Sequence, residues 1–156
     1  MSNDSPIHKS IDASGLTIGI VCASFNPSLT DALLTRVSKH LENAGLQNLL
    51  IERVPGSNEI PSGIDLILQN KTFDCFVALG VVIKGTTSHH HLVAEASGHA
   101  LQKISLQYHI PVINGIVVTD DIKSAEDRIT GHIDRGLEFA EAALHMAQLH
   151  KKWTKI

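Results

Sequence analysis

The stretch "FDCFVALGVVIKGTTSHHHLV", residues 73–93, decides the fold. After Asp74 it runs apolar without a polar break as far as Ile83, which marks a strand buried on both faces. Gly85, Thr86, Thr87 and Ser88 then interrupt it. From about Ser88 to Tyr108 the spacing predicts a helix, closed before Pro111. A doubly buried strand that turns directly into a helix is half of a βαβ unit, and the chain repeats the pattern on either side. "LTIGIVCAS" (16–24), "LLIERVP" (49–55) and "PVINGIVVT" (111–119) read as further strands.

The intervening segments read as helices. In "FNPSLTDALLTRVSKHLENAG", Asn26 can cap with Pro27 at the first helical position, or Ser28 can cap with Asp31 three residues on. Leu29, Ala32, Leu33, Val37, Leu41 and Ala44 form its apolar stripe, and Gly45 is a natural stop. Ile60, Ile64, Ile67 and Leu68 repeat at helical spacing, with Pro61 tolerated in the first turn. Residues 120–152 are helical with a break near Gly131. Strands alternating with helices predict a three-layer α/β/α sandwich around a parallel four-stranded sheet. Right-handed crossovers favour the flavodoxin-like order 2-1-3-4, with room for an N-terminal strand to extend it.

No repeat, low-complexity tract or linker divides the chain. Its 156 residues are expected to form one domain over 1–156, with 1–15 as an N-terminal arm. A chain of this size buries roughly 68–70% of its unfolded surface, enough for a core without staples. The formal net charge of −3 gives no basic field for nucleic acid or an anionic membrane. No apolar run approaches the ~18 residues of a membrane span, and the start "MSNDSPIHKS" lacks the regions of a signal peptide. Cys22 should lie near the end of one strand and Cys75 at the start of another. In parallel strands they cannot meet, so free thiols and a cytoplasmic location are expected.

Open parallel sheets bind ligands beyond the carboxyl ends of their strands. That rule selects "SFN" (24–26), "VPGSNEIP" (54–61), "KGTTSHHH" (84–91) and "TDD" (119–121) as the walls of one crevice. Thr86, Thr87 and Ser88 place hydroxyls where a helix begins, which favours phosphate, although a plain helix cap has the same residues. A single histidine there could act as acid and base near neutral pH. Adjacent histidines point in different directions and suit a metal poorly, and only His91, Glu95 and His99 share helical spacing. Glu59 at a helix start could complement the dipole or accept N–H groups of a ligand. Phe25 is either core or a stacking surface, and Arg128 alone is an ordinary surface arginine.

Taken together, "SFN", "VPGSNEIP", "LGVVIKGTTSH", "PVINGIVVT", "AEDR" and "ALHMAQL" resemble, in this order, the 6,7-dimethyl-8-ribityllumazine synthase family of riboflavin biosynthesis. The resemblance covers about residues 17–149. It implies condensation of 5-amino-6-(D-ribitylamino)uracil with 3,4-dihydroxy-2-butanone 4-phosphate, with loss of phosphate and water and no metal or cofactor. It assigns Phe25 to stacking on the pyrimidine, and Ser57, Asn58 and Glu59 to holding the pyrimidine and ribityl chain. Val81, Val82 and Ile83 would give main-chain contacts, Thr86 and Thr87 the phosphate loop, and Arg128 the phosphate-binding cation. His89 would transfer protons.

The resemblance also implies sites between subunits of a homopentamer or a multiple of pentamers, with Asn114 and Arg128 supplied by the neighbour. Riboflavin synthase is the implied protein partner. Several positions depart from the family pattern. His90 and His91 stand where an aromatic and an acid usually follow the histidine. Asn58 and Asn114 replace aromatic or apolar residues, Ser24 replaces an arginine, and "RITGHIDRG" is about one residue short. These departures motivate an alternative, a non-catalytic paralogue that holds a lumazine or flavin.

Overall fold

The chain is described by a computed structural model covering residues 10–154. Its elements are β1 (Thr17–Ala23), α1 (Pro27–Asn43), β2 (Asn48–Val54), a 3₁₀ turn at Ser57–Glu59, α2 (Ile60–Leu68) and β3 (Cys75–Ile83), followed by α3 (His89–Tyr108), β4 (Val112–Thr119), α4 (Ile122–Ile129) and α5 (Arg135–Trp153). The sheet order is β2-β1-β3-β4 and every neighbouring pair is parallel. This is the flavodoxin-like order expected from the sequence. Residues 10–16 carry no strand, and the rest of the N-terminal arm, where an extending strand was expected, lies outside the described residues.

Two cores sandwich the sheet, and the alternation of β3 divides its side chains between them. Cys75, Val77, Leu79 and Val81 join Ile18 and Ile20 against Leu33, Val37 and Leu41 of α1 and the alanines 140, 143 and 147 of α5. Phe76 and Ala78 join Val21 and Ala23 on the other face, against Ile60, Ile64, Leu101 and Ile104. The small alanines let α5 approach the sheet closely. β1 and β3 are central and read as unbroken apolar runs, while the edge strand β2 exposes Ile51, Glu52 and Arg53.

The register places Cys75 opposite Ile18, four residues before Cys22 along β1, about 13 Å at strand rise. Both thiols are free and buried. Burial pushes Cys22 up to about 11 and Cys75 higher still, so neither is a ready nucleophile. Among the described residues no helix is long and apolar enough to cross a membrane.

The break in the last helical segment separates α4 from α5, and a polar clasp fixes the junction. Asp134 caps α5 by accepting from the Leu137 amide at 3.0 Å. It also pairs with Arg36 at 3.5 Å and His40 at 3.3 Å on α1, while Arg36 donates to the Thr130 carbonyl at 3.1 Å. Partial burial alone would raise the Asp134 carboxyl, but the Leu137 amide, His40 and Arg36 outweigh it and hold it below the usual range. A lowered folded value means the stabilisation is complete above the unfolded carboxylate range and is lost as pH falls through the folded one. Asp134→Ala should therefore cost about 1 kcal/mol at neutral pH, typical of a lost cap. Urea denaturation across pH checks this: the gap to wild type should close in acid.

Candidate active site

All four segments selected from the sequence lie at the carboxyl end of the sheet, and three of them line one cleft of about 480 Å³. Phe25 and Asn26 enter it from the β1–α1 turn, and Gly56 to Glu59 from the turn after β2. Val81, Val82 and Ile83 form its floor, and Gly85, Thr86, Thr87, His89, His90 and Val93 close the far side. The fourth segment, 119–121, lies outside the lining. Instead it braces the floor, because the Lys84 amide donates to the Thr119 carbonyl at 2.9 Å. A larger concavity of about 810 Å³ lies at the opposite end, between the start of β2 and the α2–β3 loop; its one charged lining residue is Lys71.

Two close approaches shape the cleft. A Cβ built on Gly80 would stand 2.4 Å from Ser57 Oγ, so only glycine lets the 3₁₀ turn settle on β3. A Cβ on Gly56 would meet Glu59 Oε2 at 2.9 Å and the Phe25 ring at 3.4 Å, so carboxylate and ring converge over one backbone position. Phe25 is 70% exposed, which makes it a presented face and not core. Glu59 and Asn58 are exposed along the same wall, whereas Ser57 is buried.

Asn26, read from the sequence as a helix cap, occupies the cap position but caps nothing with its side chain. Its backbone sits in the left-handed region at φ 55°, and its Nδ2 donates to the Val81 carbonyl at 2.8 Å. The residue thereby ties the β1–α1 turn to the floor of the cleft. Left-handed non-glycine residues are few and concentrate at functional sites, and asparagine tolerates that region best. Nearby, Arg53 pairs with Asp31 and donates to the Ala23 carbonyl at 3.2 Å, fastening the ends of β2 and β1.

On the far side α3 begins at His89, whose amide donates to Thr87 Oγ1 at 3.4 Å, while Ser88 at the cap position makes no side-chain cap bond. Ser88 thus starts the helix by position and leaves its hydroxyl unused as a cap. Thr86, Thr87 and His89 are exposed to the cleft. First-turn amides of a helix carry partial positive charge, and this turn adds two threonine hydroxyls to them. The cleft has no lysine or arginine among its lining residues. Among the described residues no three His, Cys, Asp or Glu side chains converge to hold a metal ion.

Asn114 and Arg128 do not reach this cleft. Asn114 lies exposed on the edge strand β4, opposite Ala78 and so three residues short of the Val81 level, with its Oδ1 accepting from the Ile116 amide at 3.1 Å. Arg128 is half-buried on α4 and donates to the Ser124 carbonyl at 2.9 Å. It has no carboxylate partner among the described ion pairs. Of the residues singled out from the sequence, then, ten gather in one cleft and these two stand elsewhere on the same chain.

The fold and the cleft define a flavodoxin-like α/β protein with an open cleft at the carboxyl end of its sheet. Comparison with known proteins narrows the class. Residues 15–151 match the family model for 6,7-dimethyl-8-ribityllumazine synthase. Proteins of that name from Nitrosomonas europaea (37% identical, covering 92% of this chain and 87% of that protein) and a Polaromonas species (36%, 89% and 90%) are similar along most of their length. One from Thermococcus kodakarensis is 36% identical, with 88% of each chain covered. The chain belongs to the 6,7-dimethyl-8-ribityllumazine synthase family.

Proposed function

We propose that this chain condenses 5-amino-6-(D-ribitylamino)uracil with 3,4-dihydroxy-2-butanone 4-phosphate to the lumazine, the penultimate step of riboflavin biosynthesis. The observation that carries the proposal is the convergence of Phe25, Glu59, the end of β3 and the Thr86–His89 turn on one cleft in a chain of this family. Each wall suits one part of the substrates. The open face of Phe25 stacks on the planar pyrimidine, and the backbone of Val81 to Ile83 meets its polar edge. The carboxylate of Glu59 accepts from N–H or O–H groups, with Ser57 and Asn58 beside it along the ribityl chain.

The phosphate falls to the hydroxyls of Thr86 and Thr87 and the first amides of α3. A phosphate dianion also needs countercharge, and this cleft is lined by no lysine or arginine of its own. We assign that role to Arg128 of a neighbouring subunit, with Asn114 beside it, in a homopentamer or a multiple of pentamers. His89 moves the protons. Schiff-base formation and phosphate loss each require a proton to be taken and returned, and an imidazole near neutral pH does both. Holding the pyrimidine's amine, which is the nucleophile, in attack geometry against the ketone supplies the rest, roughly 7–11 kcal/mol in favourable cases, without a protein nucleophile.

No observed feature favours the non-catalytic alternative, since the cleft is open and its acid, histidine and hydroxyls are in place. The reduced thiols and the family fit a cytoplasmic enzyme that hands its product to riboflavin synthase. Turnover of both substrates by purified protein, with a chelator present, tests the reaction: one phosphate should appear per lumazine formed, and absence of product would refute it. Phe25→Ala should weaken pyrimidine binding about tenfold, the low end of ~1–3 kcal/mol for a stacked base. The same change should leave stability within about 0.5 kcal/mol, because the ring is exposed. Calorimetric titration with the pyrimidine and a urea melt measure both.

A further inference from the structure

Of the histidine run, only His90 is buried, at 7% exposure. Its Nδ1 stands 3.1 Å from the Thr87 carbonyl oxygen. A carbonyl only accepts, so Nδ1 carries the proton in this contact, and Nε2 of the neutral ring is left as an acceptor. That Nε2 is buried and has no partner among the described residues. The ring packs on His91, with centroids 4.0 Å apart. A buried polar atom without a partner is uncommon in folded chains and costs stability, so an apolar ring would serve packing better at this position.

The turn that His90 holds has little else to fix it. Thr86, Thr87 and Ser88 are exposed, and the space beside Gly85 is empty. Among the described residues, His90 is the only side chain from outside residues 85–88 that donates to the backbone of that turn. We propose that His90 is a positioning residue that sets the shape of the phosphate-binding turn through its Nδ1–H bond to Thr87. The inference rests on reading residues 85–89 as the phosphate side of the cleft.

Two variants separate this role from packing. His90→Phe keeps a ring and removes both the donor and the orphaned acceptor. His90→Asn places an amide N–H near the Nδ1 position and sacrifices ring volume. Calorimetric titration with inorganic phosphate should show roughly three- to tenfold weaker binding by His90→Phe, the loss expected for one hydrogen bond. Its melting temperature should equal or exceed that of wild type. His90→Asn should bind phosphate within about twofold of wild type despite a lower melting temperature. In turnover, the apparent KM for the phosphate substrate should follow the same order, with the pyrimidine KM unmoved.

A purely structural histidine would give the reverse, a destabilised Phe variant with normal phosphate binding. That result, equal defects in both variants, or a wild type that binds no phosphate would each overturn the proposal. Wild-type protein that binds phosphate and responds to the variants but forms no lumazine would refute the condensation alone.

Discussion

His89→Ala is expected to lower kcat by roughly 10- to 100-fold and to leave the fold unchanged, at or below the low end of the usual range for a general acid–base group. The fold should survive because His89 is exposed at the first residue of α3 and makes no side-chain bond among the described residues. The loss should be modest for two reasons. Most of the rate comes from bringing two substrates together, which the variant still does. Solvent in this open cleft can also carry protons when the imidazole is gone. Steady-state kinetics with circular dichroism checks both halves. A normal kcat would remove His89 from the proton path.

Arg128→Ala is expected to raise the apparent KM for 3,4-dihydroxy-2-butanone 4-phosphate roughly tenfold to a hundredfold, since a charge-assisted hydrogen bond contributes about 1.5–3 kcal/mol. The KM for the pyrimidine should stay near wild type. Folding should be little affected, because among the described residues the guanidinium bonds only to the Ser124 carbonyl within its own helix. The split between substrates distinguishes a phosphate ligand from a general packing role. Equal rises in both constants would argue that α4 supports the cleft as a whole.

Much of this was legible in the sequence. The runs 18–23 and 75–83 are apolar on both faces, and that fixes β1 and β3 as the centre of a parallel sheet. The rule that ligands sit past the strand ends puts Phe25, Glu59, Thr86, Thr87 and His89 on one cleft. What stayed hidden depends on three-dimensional proximity. Asn26 looks like a helix cap because Pro27 follows it, yet its side-chain amide donates to the Val81 carbonyl, 55 residues further along the chain. His90 is indistinguishable from its neighbours in sequence, and only its position on the inner side of α3 buries it. Arg128 and Asn114 show the opposite limit. Only the resemblance assigns them to the site, and the folded chain alone leaves them apart from the cleft.

The measurement that tests the account most directly mixes two impaired variants. His89→Ala and Arg128→Ala proteins, each assayed alone with subsaturating phosphate substrate, should run at roughly 1–10% of the wild-type rate. After denaturation together at equal amounts and refolding, random pairing around a closed ring should restore about a quarter of the wild-type rate, because one interface in four joins an intact His89 to an intact Arg128. Recovery near that level would establish a condensing cleft completed by the neighbour. No recovery, with wild-type protein active after the same treatment, would contradict it.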